Sequence, residues 1–332
     1  MLEQISSLLF LPSPLVLGSL SLALLIDRTL GEPPARLHPV VGMGAYLQWA
    51  GERIAPIYCD LAPTSRQSRH HFLLGTAAWL LGAAGVVFIS FLCLKALSNL
   101  PEQLWFSIIH AAVLAVLLKP LFAYRMLQGE VQAVAQALAQ SLEAGQARLQ
   151  HLVSRDTSAL DAAQVMEASL ETLAENFNDS VIAPIFWFCI GGLPAAALYR
   201  FANTADAMWG YRGGRQGRNW SYAGKFAARA DDVLSYIPAR LTALLLCLAA
   251  GQLPLRTLVG QARLTPSPNS GWPMAALALL LHVRLSKPQV YVLNAAGRAP
   301  SHADLAPALR LLRRVWWLLW LGAVLLCVYT LI

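Results

Sequence analysis

The sequence predicts an all-α polytopic membrane protein, and three observations carry that reading. Hydrophobic residues make up 57% of the 332 and charged residues only 13%, where an average soluble domain carries about twice that charged fraction. The mean hydropathy is +0.51, and long apolar runs recur along the chain. No stretch of any length alternates polar and apolar residues with the two-residue period of a strand. The same composition excludes disorder, a secreted disulfide scaffold and an ordinary cytosolic enzyme, because a soluble globule cannot hide that much apolar surface.

The elements follow in order. Leu8 to Ile26 is an apolar run of 19 residues, enough to cross roughly 30 Å of hydrocarbon. It is not a cleavable leader: Glu3 precedes it without Lys or Arg, and it ends at Asp27-Arg28 with no small-residue cleavage site. Phe72–Leu94 and Leu104–Tyr124 are the next spans, and Val315–Ile332 is the last, opening on Trp316, Trp317 and Trp320 as an interfacial belt. Between them lie shorter apolar segments. Val181–Tyr199 is interrupted by Gly191-Gly192-Leu193-Pro194, Leu241–Ala250 runs into Gly251, and Trp272–Val283 is short. Gly/Pro-broken segments of this kind read as broken or re-entrant helices, tolerated at membrane depth only where protein or a wet cavity shields them. One polar stretch, residues 126–178, interrupts a chain otherwise read as a single membrane domain, 1–332. It is rich in Ala, Gln, Glu and Leu with helical periodicity, and reads as an amphipathic helical hairpin. Gly145 and Ser154–Thr157 separate its two helices, and Ser158-x-x-Asp161 opens the second as a capping box.

Charge orients these elements. Stretch 27–71 holds five Lys/Arg, 200–240 seven and 284–314 six, whereas 96–103 holds none. If Val181–Tyr199 dips in and returns, all the rich loops share one side, which the positive-inside rule makes cytoplasmic; a plain span is the alternative. The expected location is therefore the cytoplasmic (inner) membrane, multi-pass, with any active site facing the cytoplasm. The net charge of +7 then belongs to loops facing anionic headgroups, not to nucleic acid. Five cysteines without a CxxC or a Cys/His cluster support neither a zinc site nor a disulfide framework.

The familiar phosphate, dinucleotide, metalloprotease and serine-hydrolase motifs are absent. Instead, polar clusters flank the apolar segments. Glu171, Glu175 and Asp179 are spaced i, i+4, i+8, with Asn176 and Asn178 among them. Like charges so spaced repel, and three carboxylates suit Mg²⁺, a hard cation that bridges to substrate phosphates; a solvated helix face is the plainer alternative. Asn203 and Asp206 share a face ahead of Trp209-Gly210-Tyr211, and could instead form an N-cap. Lys225, Arg229, Asp231, Asp232 and Arg240 combine paired carboxylates with cations, as a metal–phosphate site or a surface salt-bridge network would. Thr265-Pro-Ser267-Pro-Asn269-Ser270-Gly271 is a rigid turn, and Asp27-Arg28 to His38-Pro39 closes the first span. A return of the chain at Gly191–Pro194 would bring Asp179, Asp206 and one of Asp231 and Asp232 into a single pocket.

Taken together, the clusters resemble the cobalamin-biosynthesis CobD/CbiB family, the membrane-bound adenosylcobinamide-phosphate synthases. The resemblance rests on Asp27-Arg28 to His38-Pro39, Ala174-Glu175-Asn176-x-x-Asp179, Asn203-Thr204-x-Asp206 with Gly210-Tyr211, Ala227–Asp232 with Ile237-Pro238-Ala239-Arg240, and Ser267-Pro268-Asn269-Ser270-Gly271, in family order from residue 27 to about 285. The chain departs from the pattern at Ser235, Ala205, Ala207, Met274 and Arg284–Lys287.

The resemblance implies ATP-dependent amide formation between adenosylcobyric acid and aminopropanol or its phosphate, in a ligase-type enzyme. ATP and Mg²⁺ are the implied cofactors; the corrinoid, the amino alcohol and the lipid bilayer are the implied partners, with self-association left open and nucleic acid excluded. Asp179, Asp206, Asp231 and Asp232 are the expected catalytic residues, and Glu175, Asp179, Asp231 and Asp232 the expected metal ligands. Asp27, Arg28, His38, Asn176, Asn203, Tyr211, Lys225, Arg229, Arg240, Ser267 and Asn269 are expected to bind substrate. A non-catalytic AmpE-like membrane sensor, or a transporter, is the alternative; a transporter places charges deep within spans, whereas here they sit at span ends and in loops.

Overall fold

The computed structural model describes residues 13–58, 64–98 and 104–331. Its helices, in chain order, are α1 (Pro14–Thr29), α2 (Pro39–Ile54), α3 (Ser65–Ser98), α4 (Leu104–Leu118), α5 (Tyr124–Gln140), α6 (Leu142–Gln150), α7 (Ala162–Phe177), α8 (Ala183–Trp209), α9 (Lys225–Leu234), α10 (Tyr236–Ala250), α11 (Leu255–Ala262), α12 (Gly271–Leu280) and α13 (Leu305–Leu331). Two short antiparallel ladders join them, β1 (Gly214–Arg215) with β2 (Arg218–Asn219) and β3 (Leu285–Lys287) with β4 (Tyr291–Leu293). Among the described residues four helical stretches are long and apolar enough to cross a membrane: Ser65–Leu97, Ser107–Gln140, Ala162–Trp209 and His302–Thr330. A fifth exists if α9 and α10, bent by 45° at their junction, count as one. The protein is therefore an all-α polytopic membrane protein, as expected. The beginning of the first expected span, 8–12, lies outside the described residues; its remainder forms α1.

The chain divides into two compact units. One comprises Met1–Phe122, Pro184–Asp231 and Leu319–Ile332; the other comprises Ala123–Ala183 and Asp232–Leu318. In the first, α1 packs on α4 and α2 on α3. Trp209 stacks on Trp220 at 6.1 Å and donates its indole N–H to the Leu47 carbonyl at 3.1 Å, tying the end of α8 to α2. α8 is broken where its sequence forecasts. Gly191 (φ −135°, ψ 21°) and Gly192 (φ 63°, ψ −156°) leave helical geometry, and the Gly192 conformation is one that essentially only glycine adopts. Pro194 follows in the first turn of the second arm, where a missing N–H costs nothing. The third expected span lies within the stretch Ser107–Gln140 but is not one regular helix: α4 stops at Leu118, and Lys119–Leu121 tighten into a 3₁₀ turn around Pro120.

In the second unit the polar stretch folds as three helices rather than two. α5 ends at Ser141, whose hydroxyl caps α6 by accepting from Ala144 N–H at 3.1 Å. Gly145 is not the break. It lies inside α6, where an added Cβ would stand 2.9 Å from Leu138 Cα, so it permits the close approach of α6 to α5. α7 opens one turn later than expected, at an Asp161/Gln164 capping box, because Asp161 is itself a strong N-cap and Ser158 is used in the preceding turn. Val134, Leu149, Val165 and Ala168 form the buried core of this trio. Trp316 also differs from expectation. It is buried against Tyr124 at 5.9 Å, while Trp317 faces outward as a belt residue would.

Candidate functional site

In the second unit α7 does not run directly into α8. Asn178–Ile182 form a π turn, a widened geometry that concentrates at functional sites. Asn178 is 2% exposed and fully used. Its Nδ2 donates to Asp179 Oδ1 at 2.8 Å, and its Oδ1 faces the Thr242 hydroxyl of α10 at 2.9 Å. That hydroxyl lies equally close to the Pro238 carbonyl. Half-buried Asp179 is thus aimed by an amide that α10 holds in turn. Neither Asn178 nor Thr242 was among the residues singled out as site members. Thr242 sits in an apolar run and carries no local signal, whereas the position of Asn178 beside Asp179 was one.

The other motif residues of this unit form a second lattice. Arg240 of α10 donates to Asn269 Oδ1 at 3.2 Å and to the Pro268 carbonyl at 3.3 Å, and its guanidinium lies over the Tyr236 and Trp272 rings. Asn269 Nδ2 donates to the Asp232 carbonyl at 2.7 Å. Ser267 Oγ accepts the Asn269 and Ser270 N–H groups at 3.2 and 3.3 Å, shaping the turn into α12. Asn176 folds back on its own helix, donating to the Thr172 carbonyl. Asn176 therefore serves its own helix, and Ser267 and Asn269 build the turn that orients Arg240. Glu175 and Asp232 are half-buried.

A third feature ties Glu171, the first carboxylate of the spaced series, to residues outside that series. Glu171, 6% exposed, accepts from Tyr291 Oη of β4 at 2.8 Å and from Arg155 Nη2 at 3.2 Å. Burial and the neighbouring Glu171 carboxylate both push the Tyr291 phenol above its ordinary range, so it remains a donor throughout physiological pH.

In the first unit Asn203 Nδ2 donates to Asp231 Oδ1 at 3.4 Å. Asp206 closes the α8 terminus: a Cβ on Gly210 would stand 2.7 Å from the Asp206 backbone carbonyl oxygen, so glycine is required there. Tyr211 carries Arg215 over its ring at 3.8 Å, and burial raises its phenol above the ordinary range, with Asp206 adding to the rise. Lys225 and Arg229 share a cleft of about 290 Å³ with Arg69, Ser68 and Tyr222. Asp27 and His38 belong to a different network. Lys119, 3% exposed, lies 3.0 Å from fully buried Asp27 and 2.7 Å from Glu32, and Glu32 meets His38 Nε2 at 3.3 Å. Arg28 is exposed.

Among the described residues no group of three His, Cys, Asp or Glu side chains stands close enough to hold a metal ion. The carboxylates expected to ligate Mg²⁺ thus do not form a cage of their own.

These features define a class: a polytopic helical membrane protein in which oriented carboxylates, amides and arginines are gathered at helix junctions. The comparisons specify it further. A family model described as CobD/Cbib protein matches residues 20–313. A "Probable cobalamin biosynthesis protein CobD" of Methanothermobacter thermautotrophicus is 39% identical over 286 residues, 83% of this chain and 86% of that one. The "Cobalamin biosynthesis protein CobD" of Brucella suis is 38% identical over 306 residues, covering 86% and 88%, and that of Chromobacterium violaceum 39% over 325, covering 94% of each. No solved structure matches. The chain belongs to the CobD/CbiB family.

Proposed function

We propose that this protein acts in cobalamin biosynthesis as an ATP-dependent amide synthase, joining a side-chain carboxyl of adenosylcobyric acid to aminopropanol or its phosphate, at a site that faces the cytoplasm from the inner membrane. The names of its relatives support the pathway. The observation that carries the chemistry is Asp179, a half-buried carboxylate held in one direction by Asn178 and Thr242.

A carboxylate and an amine do not condense unaided at neutral pH. In the proposed reaction a carboxylate oxygen of the corrinoid attacks the terminal phosphorus of ATP; an O–P bond forms and ADP leaves. The amine nitrogen then attacks the acyl carbon, the C–N bond forms, the C–O bond breaks and phosphate departs. The nitrogen loses a proton to a carboxylate, and Asp179 is assigned that role. Cations offset the charge of the phosphoryl group; Arg240, in the same unit as Asp179 and held over the Tyr236 and Trp272 rings, is assigned that role.

The test is product formation by the purified full-length protein in detergent micelles, given adenosylcobyric acid, the amino alcohol and ATP. One amide per ADP released is expected. Asp179→Asn should abolish it while leaving the unfolding midpoint unchanged. Amide formation without ATP, or wild-type turnover in the Asn variant, overturns the mechanism.

A further inference from the structure

One cavity of the first unit is lined by none of the residues expected to bind substrate or take part in catalysis. It is a groove of about 710 Å³, within the size range of dedicated small-molecule sites. Its walls come from α2, α3, the end of α4 and the second arm of α8, and they are almost wholly apolar. On α3 its lining runs from Leu81 to Cys93, all within the apolar run Phe72–Leu94 that the membrane requires. The groove is therefore at hydrocarbon depth. Its rim is exposed there: Leu81 is 67% accessible, Ile89 61% and Val116 60%, so it opens onto the surrounding lipid.

Two glycines keep it open. Gly42 of α2 and Gly85 of α3 both line it, and a Cβ built on either meets no atom within 4 Å. Helix-interior glycine costs about 1 kcal/mol relative to alanine, and at Gly85 no close packing accounts for it. Pro33, Pro39 and Pro120 also line the groove. Each of these directly follows a member of the charged network, Glu32, His38 and Lys119. The groove is apolar, and three of its lining residues adjoin the charged network in the chain.

We infer that this groove binds one acyl chain of a membrane phospholipid. An apolar trough at this depth cannot be filled by water without loss of its hydrogen bonds, and lipid is the solvent onto which it opens. A chain lying in it restores the dispersion contacts that the missing side chains of Gly42 and Gly85 leave unmade. The inference is independent of the proposed reaction.

The experiment uses the full chain, reconstituted in vesicles of palmitoyl-oleoyl phosphatidylethanolamine, extracted into mild detergent and washed. Phospholipid retained per chain is counted by mass spectrometry, and oligomeric state by light scattering. Wild type is expected to retain one phospholipid. Gly85→Phe, which fills the trough, is expected to retain at least ten-fold less with an unchanged unfolding midpoint. Gly129→Phe, at an open glycine of α5 outside the groove, should behave as wild type. If Gly85→Phe does not fold, Gly42→Phe fills the trough from the facing wall and serves the same test. No retained lipid in wild type, or equal retention in the filled variant, overturns the inference. So does a wild-type dimer that Gly85→Phe converts to monomers, since the groove would then be a contact between two copies.

Discussion

Replacing Lys119 with methionine tests whether buried charge holds the first unit together. Lys119 Nζ lies 3.0 Å from Asp27, which is fully buried, and 2.7 Å from Glu32, whose side chain is one-fifth exposed. At 3.0 Å and an effective dielectric near 20, the Lys119–Asp27 attraction is about 5 kcal/mol before desolvation is counted. Methionine fits the same volume but removes the ammonium beside the buried carboxylate, and breaking a buried pair by removing one partner costs about 3–5 kcal/mol. Glu32→Gln should cost only about 1 kcal/mol, because solvent and His38 still serve that side chain. The decisive variant is the double, Lys119→Met with Asp27→Asn, which removes both charges together. It should recover at least about 2 kcal/mol relative to the sum of the single substitutions. Equilibrium unfolding of the four proteins in micelles, followed by tryptophan fluorescence, gives the cycle. Additivity within about 0.5 kcal/mol refutes the argument, since the charges would then stabilise nothing through each other.

Other substitutions probe other links. Thr242→Val removes the hydroxyl from Asn178 Oδ1; it should cost about 1–3 kcal/mol and lower kcat more than it raises KM, while Thr242→Ser restores both. Tyr291→Phe deletes the donor to Glu171 and should destabilise by about 1.5–3 kcal/mol in chemical unfolding. With the phenol raised in the folded state, that contribution is fully present below about pH 10 and disappears as pH climbs beyond it; a loss already complete at pH 7 would contradict the assignment. Gly192→Ala forces a side chain into a conformation suited to glycine (φ 63°, ψ −156°), and an unfolding free energy lowered by about 1–3 kcal/mol is expected in chemical unfolding.

What the sequence discloses depends on how far each interaction reaches. The break at Gly191–Gly192 was legible because glycine, glycine and proline are local signals of backbone geometry. The amphipathic helices between α4 and α8 were legible through periodicity, but their joints were misplaced by one turn. Ser141 and Asp161 cap those helices where Gly145 and Ser158 had looked like the punctuation. Asp179 stood out as a carboxylate against an apolar run, yet its control by Thr242 spans 64 residues and has no spacing rule. Lys119 was hidden inside an apolar stretch read as one span, and its partners Asp27 and Glu32 lie about ninety residues upstream. Tyr291, 120 residues from Glu171, was equally out of reach. Local rules recover elements and punctuation; side-chain pairing across helices awaits the fold.

The π turn at Asn178–Ile182 is, in effect, a helix carrying one residue too many. Deleting a single residue there would let α7 and α8 resume regular pitch, with better backbone bonding and a more heat-resistant chain. The same deletion would rotate every later position by about 100° and turn Asp179 away from the amide that aims it. Selection of variants for thermal endurance alone should thus drift toward a straightened, inert helix. Selection for turnover should keep the surplus residue and tolerate the instability that comes with it.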